Sequence, residues 1–261
     1  MIDRFPGIAE GDARGELAAT FADIRATIGV PVVNLVWRHL ATIDGGLDWA
    51  WRSVRPLYVS GDVFMLAGTV RAGLVLPGLG SLVGPEPAGI DAVLASYDHS
   101  NTVNLVALSA LLADARAGQA VAGHAAPLVA PQVRLPPLLA EKDVAPETWR
   151  RVLALNRLGD APSPAILASM YRHLAHWPSF LARIEVALTP AAADGSLART
   201  ISANRALAER LGASVRDRLG SPNADDVTRR EARHAVAAFV EHAIAKMVAI
   251  CRAIRVARGV A

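Results

Sequence analysis

Cysteine is almost absent from this chain: Cys251 stands alone in 261 residues. No intramolecular disulfide can form, so packing alone must hold the fold, and a reducing, cytoplasmic setting fits. Cys251 itself sits among Ala249, Ile250 and Ala253 and reads as an inert, buried thiol. Lysine is nearly as scarce. Lys142 and Lys246 are the two lysines, and every other cationic side chain apart from histidine is an arginine. The net charge of +3 is too small and too dispersed for a nucleic-acid partner. The one basic group, Arg229, Arg230 and Arg233, lies beside Asp226 and Glu231 and reads as a solvated helix face.

Aromatic residues make up 5% of the chain against 52% apolar residues in all, so the core must be built mostly from Ala, Leu, Val and Ile. Long Ala- and Leu-rich stretches favour helix, because alanine gives up no side-chain entropy there. An all-α protein with no sheet is expected. A long uninterrupted apolar run is also missing. The most apolar window, Phe64 to Val83, is broken by Arg71, Pro77 and several glycines, so no membrane span is expected. The first residues carry Asp3, Arg4 and Pro6 and have no apolar stretch of the signal-peptide kind.

Common catalytic signatures are lacking as well. No Cys-X-X-Cys, His-Glu-X-X-His, P-loop or Gly-X-Ser-X-Gly pattern occurs. His173 and His176 are spaced to share a helix face, but no carboxylate in that turn completes a metal site. Neither a metal nor a cofactor is expected.

What the sequence does hold is an internal repeat. Val36-Trp37-Arg38-His39-Leu40-Ala41 matches Met170-Tyr171-Arg172-His173-Leu174-Ala175 at an offset of 134. The register continues without a gap: Leu47 falls on Leu181, Pro56 on Pro190, Gly61 on Gly195, Arg71 on Arg205 and Ala72 on Ala206. That many identities in one ungapped register points to an ancient duplication. Between the copies, residues 117–146 carry Pro127, Pro131, Pro136, Pro137 and Pro146, a density that forbids continuous helix. The reading is two pseudo-repeated helical units, 1–116 and 147–261, packed into one body and joined by a Pro-rich connector, 117–146.

The first unit reads as helices over 12–28, 32–42, 47–59 (interrupted by Pro56), 62–74 and 90–117, the last with a break near Asp98. The second reads as helices over 146–158, 164–176, 178–188, 196–211 and 225–258, with Asp225 or Asp226 as the final N-cap. The duplicated Arg-His pair reads as structural, an arginine on each matching helix bonding loop carbonyls or a carboxylate. The segment Tyr97-Asp98-His99-Ser100-Asn101-Thr102-Val103-Asn104-Leu105 is different in kind. It either caps a helix or lines a pocket between the units, because at the repeat offset Asn101 and Asn104 face Ala235 and Ala238. Whether Asn101 or Asn104 faces such a pocket stays open at this level.

Several of these residues, in order, resemble a family. Val30-Pro31 with Leu40-Ala41-Thr42, the Ser100-Asn101-Thr102 region, and Ala168-Ser169 with Leu174-Ala175-His176-Trp177-Pro178 are similar to the group I, non-stereoselective (DL-type) 2-haloacid dehalogenases. The resemblance implies two helical pseudo-repeats with the site between them, and a homodimer. It also implies a hydrolase in which an aspartate activates a water that displaces the halide directly from carbon 2. The water-holding asparagine would be Asn101 and the serine before the base Ser169. The base itself falls on Met170, and a thioether cannot take a proton from water near neutral pH. The family's aromatic pocket wall would be Val32 and Leu35, and its late tyrosine would lie near Val240. An enzyme of this lineage that acts on a small carboxylate by altered chemistry would use Asn101 and Thr42 to polarise the substrate. The expectation is a dehalogenase-like protein without the standard activity. The alternative is a non-catalytic protein of the same fold that binds a small carboxylate or serves as a scaffold. Asp98 and Asp160 are the nearest remaining carboxylates by sequence.

Overall fold

The computed structural model describes residues 5–84, 87–114, 125–159 and 166–260, and those residues form helices and connecting loops with no strand among them. The chain is all-α. Its first helices are α1 (Gly15–Ile28), α2 (Leu35–Leu40), α3 (Gly46–Val59), α4 (Asp62–Ala72) and α5 (Ala88–Leu112). After an extended stretch come α6 (Pro146–Arg157), α7 (Ser169–Leu174), α8 (Pro178–Ala193), α9 (Ser196–Ala213), α10 (Asp226–Ala238) and α11 (Ala245–Arg258). One turn of π-helix, Phe239–Ile244, joins α10 to α11, so they run on as one 33-residue helix. That helix is long and apolar enough to cross a membrane by length and composition, yet 72% of its most apolar window is packed inside the protein.

Local chemistry sets the boundaries. Gly29, Gly45, Gly61 and Gly195 hold positive φ at helix ends, a conformation that costs a residue with a Cβ but not glycine. Asp225 caps α10, its carboxylate accepting from the backbone N–H of Val227 and Thr228 at 2.9 and 2.8 Å. Two expected interruptions do not occur. Helix α3 runs through Pro56, since the bond a proline forfeits there lies three residues from the helix end. Helix α5 is unbroken at Asp98 because its polar side chains bond back along the helix: Asn101 Nδ2 donates to the Tyr97 carbonyl at 2.8 Å and Thr102 Oγ1 to the Asp98 carbonyl at 2.6 Å.

Helix α5 is the hub, packing against α3, α4, α9, α11 and the π-turn. It approaches α9 most closely at Gly212, where a Cβ would lie 2.7 Å from both the Ala110 nitrogen and the Val106 oxygen. Helices at the repeat offset begin together: α2 and α7 are six residues each, starting at Leu35 and Ser169, and α4 and α9 start at Asp62 and Ser196. Residues 125–140 cross the surface without helix, and Leu128 bonds the Phe64 carbonyl at 2.9 Å. Arg233 departs from the solvated-face reading. It is half-buried, and its guanidinium bonds the Leu111 and Leu112 carbonyls at 2.6 and 3.0 Å, capping the end of α5.

Candidate functional site

Four short stretches from distant parts of the chain meet at one cavity of about 40 Å³, space for roughly three water-sized groups. Asn34, Leu35 and Val36 come from the start of α2, Tyr97 and Asn101 from one face of α5, and Ile166, Ala168, Ser169 and Met170 from the start of α7. The π-turn contributes Phe239, Ala243 and Ile244, and α11 adds Met247. In a π-turn each backbone bond spans five residues, which brings 239, 243 and 244 onto one side. Phe5 stacks edge-on against Phe239 and His39, at 5.5 and 5.1 Å between ring centres, and so tethers the N-terminal segment beside this wall.

Among the described residues the wall contains no carboxylate and no cation. Its polar groups instead form two pairs. Arg38 donates from Nη2 to Ser169 Oγ at 3.3 Å, and the Tyr97 hydroxyl shares a 2.7 Å bond with His173 Nδ1. Burial lowers the His173 pKa to about 4, and the neighbouring His176 and Arg172 push it the same way, so the imidazole is neutral at pH 7. Burial also raises the Tyr97 phenol, which keeps its proton.

Arg38 is 8% exposed, and among the described residues no carboxylate lies within ion-pair distance of it. Burial lowers its pKa while the more distant Glu10, itself engaged with Arg25, opposes the shift. Its Nε bonds the Val33 carbonyl at 3.1 Å, and Arg172 at the repeat position bonds the Leu139 carbonyl at 2.7 Å. Both arginines thus hold loop carbonyls, but Arg38 alone also reaches a side chain of the cavity wall.

Of the residues singled out from sequence, Leu35, Asn101, Ser169 and Met170 gather around this cavity. Met170, fully buried, presents its thioether there. Val32, Thr42 and Val240 do not line it. Val32 sits on the bend before α2, Thr42 is exposed and spends its hydroxyl on the His39 carbonyl at 2.7 Å, and Val240 is buried one position past the lining Phe239. Asn101 faces the cavity and Asn104 does not: Asn104 Oδ1 accepts from Trp37 Nε1 at 3.1 Å and from the Tyr58 hydroxyl at 2.8 Å. Asp98 is turned away as well, held by arginines of α4 and α11, and Asp160 lies outside the described residues. Sequence reading missed Asn34, Ile166, Phe239, Ala243, Ile244 and Met247. Tyr97 opens the polar segment that the sequence offers as a helix cap or a pocket lining, and it lines the cavity.

No protein-family model matches the chain. A configuration-inverting 2-haloacid dehalogenase of Alcaligenes xylosoxydans xylosoxydans is 27% identical over 203 residues, which cover 68% of this chain and 66% of that protein. Among solved structures, a mutant D-2-haloacid dehalogenase superposes with a TM-score of 0.72 at 18% identity, covering 97% of this chain and 96% of the other. A D-2-haloacid dehalogenase in complex with L-LA gives a TM-score of 0.66 at 18% identity, with the same coverage of both chains. The chain is a homologue of a 2-haloacid dehalogenase and shares the helical D-2-haloacid dehalogenase fold.

Proposed function

We propose that the protein is a 2-haloacid dehalogenase-like protein that binds a small carboxylate in the cavity between α2, α5 and α7 and has lost the family's hydrolytic step. The observation that carries this reading is the cavity wall. It has Met170 where the resemblance places the water-activating aspartate, and among the described residues no other carboxylate lines it. Losing a general base typically slows a reaction by about 10² to 10⁴ or more. What remains suits recognition. Arg38 is a buried cation without a counter-charge, one hydrogen bond behind Ser169 Oγ, and such a charge is costly unless an anion joins it. Leu35, Ile166, Met170 and Phe239 give the carbon skeleton an apolar surface, and the volume limits it to a few heavy atoms.

Asn101 is the residue this reading assigns to a water or ligand oxygen beside carbon 2, as in the group I (DL-type) mechanism. A cytoplasmic homodimer, built from two internally duplicated chains, belongs to the same proposal. Calorimetric titration with racemic 2-chloropropionate tests it. The expected result is saturable binding at one site per chain, weakened about tenfold or more in Arg38→Gln, with no chloride set free. Absence of binding, or binding untouched by Arg38→Gln, would remove the ligand assignment.

A further inference from the structure

Away from the cavity, three arginines close on one acid. Asp98 is fully buried on α5, and its Oδ2 accepts from Arg71 Nη2 of α4 at 2.8 Å and from Arg255 Nη1 of α11 at 2.7 Å. Arg252 Nη1, one turn earlier on α11, stands off at 3.6 Å. Among the described residues no second carboxylate lies within ion-pair distance of any of the three. Three guanidinium cations therefore face a single carboxylate, and two positive charges remain unbalanced in side chains exposed by only 18 to 23%. Burial lowers the Arg71 pKa, and the Arg252 and Arg255 charges add to that effect.

The hydrogen bonds are unbalanced too, on both sides. Nε of Arg71 and Nε of Arg255 are buried donors without an acceptor, and Asp98 Oδ1 is a buried acceptor without a donor. Water can meet such groups, but it cannot neutralise the charge. A halide would neutralise only one of the two charges, and sulfate would neutralise both and serve the donors, yet neither carries a proton for Asp98 Oδ1. An oxoanion that keeps one proton meets every requirement. Its oxygens accept from the guanidiniums and its hydroxyl donates to the carboxylate.

We propose that Arg71, Arg252 and Arg255, arranged around Asp98, form a second binding site, for inorganic hydrogen phosphate. Its double negative charge matches the two unbalanced cations. Arg252, with the longest contact of the three, is the side chain that moves to admit the ion. None of the four residues lines the cavity, so this site stands or falls independently of the function proposed above.

The test is calorimetric titration of the full-length protein at pH 8 with inorganic phosphate, sulfate and methyl phosphate, whose ester has lost its last proton by then. One phosphate should bind per chain, with sulfate and methyl phosphate weaker by about tenfold or more for want of the bond to Asp98. Arg252→Gln should keep the native helical spectrum and lose phosphate affinity by a similar factor. Asp98→Asn, where it folds, should abolish the preference for phosphate over sulfate. The proposal is overturned by absence of phosphate binding, by equal binding of the three anions, or by undiminished binding in folded Arg252→Gln.

Discussion

His173 lies 2.7 Å from the Tyr97 hydroxyl in a site that holds its pKa near 4, whereas the unfolded chain protonates the same ring near the ordinary 6.5. The folded pKa is the lower of the two, so the unfolded state binds more protons between these values. The stabilising effect of a neutral His173 is therefore complete above about pH 6.5 and is lost as the pH falls towards 4. Between pH 7 and 4.5 this one residue should cost the protein roughly 2–3 kcal/mol. Urea denaturation at the two pH values should show that loss, and His173→Gln should have a visibly shallower dependence. Equal slopes for the two proteins would mean the ring is protonated or solvated in the fold. Tyr97→Phe isolates the other half of the pair. Removing a buried hydroxyl bonded to His173 should cost roughly 1–2 kcal/mol at pH 7, read from the same denaturation curves.

At the scale of elements, the tightest constraint is the crossing of α5 and α9. A methyl group at Gly212 would press on backbone atoms of Val106 and Ala110, which cannot swing aside as a side-chain end can. Gly212→Ala should therefore destabilise the protein by about 1–3 kcal/mol, despite alanine's better helix propensity. A stabilised variant would mean that the helices separate without penalty. The elements also show what one-dimensional signals carry. Helix positions followed from apolar periodicity, and the glycines at 45 and 61 marked helix ends, because both effects act within a few residues. The break expected at Asp98 and the interruption expected at Pro56 do not occur. Polar residues disfavour helix locally, but in α5 back-bonding side chains and packing on its neighbours outweigh that preference, and Pro56 sits close to the end of α3.

For the molecule as a whole, α5 joins everything. It packs on α3 and α4 before it in sequence and on α9 and α11 after it, leaving no surface along which the chain divides cheaply. Calorimetry should accordingly show one cooperative unfolding transition, with the van't Hoff and calorimetric enthalpies equal. Two resolved transitions would mean that the parts fold separately. The site is legible from sequence only in part, and its geometry explains why. Leu35, Asn101, Ser169 and Met170 sit in short segments whose order resembles a known family, so they could be named in advance. Phe239 and Met247 reach the cavity through long-range packing and a π-turn that no local pattern announces. Arg38 and His173 were visible as a duplicated motif, but their unequal surroundings appear only in three dimensions.

Under the function proposed above, the lack of a carboxylate at position 170 silences a site that otherwise remains in place. The decisive measurement is chloride release from racemic 2-chloropropionate by the wild-type protein and by Met170→Asp, side by side. Expected are no release by wild type above the uncatalysed rate and measurable release by Met170→Asp, lost again in Met170→Asp with Asn101→Ala. Chloride release by the wild-type protein above the uncatalysed rate would overturn the reading.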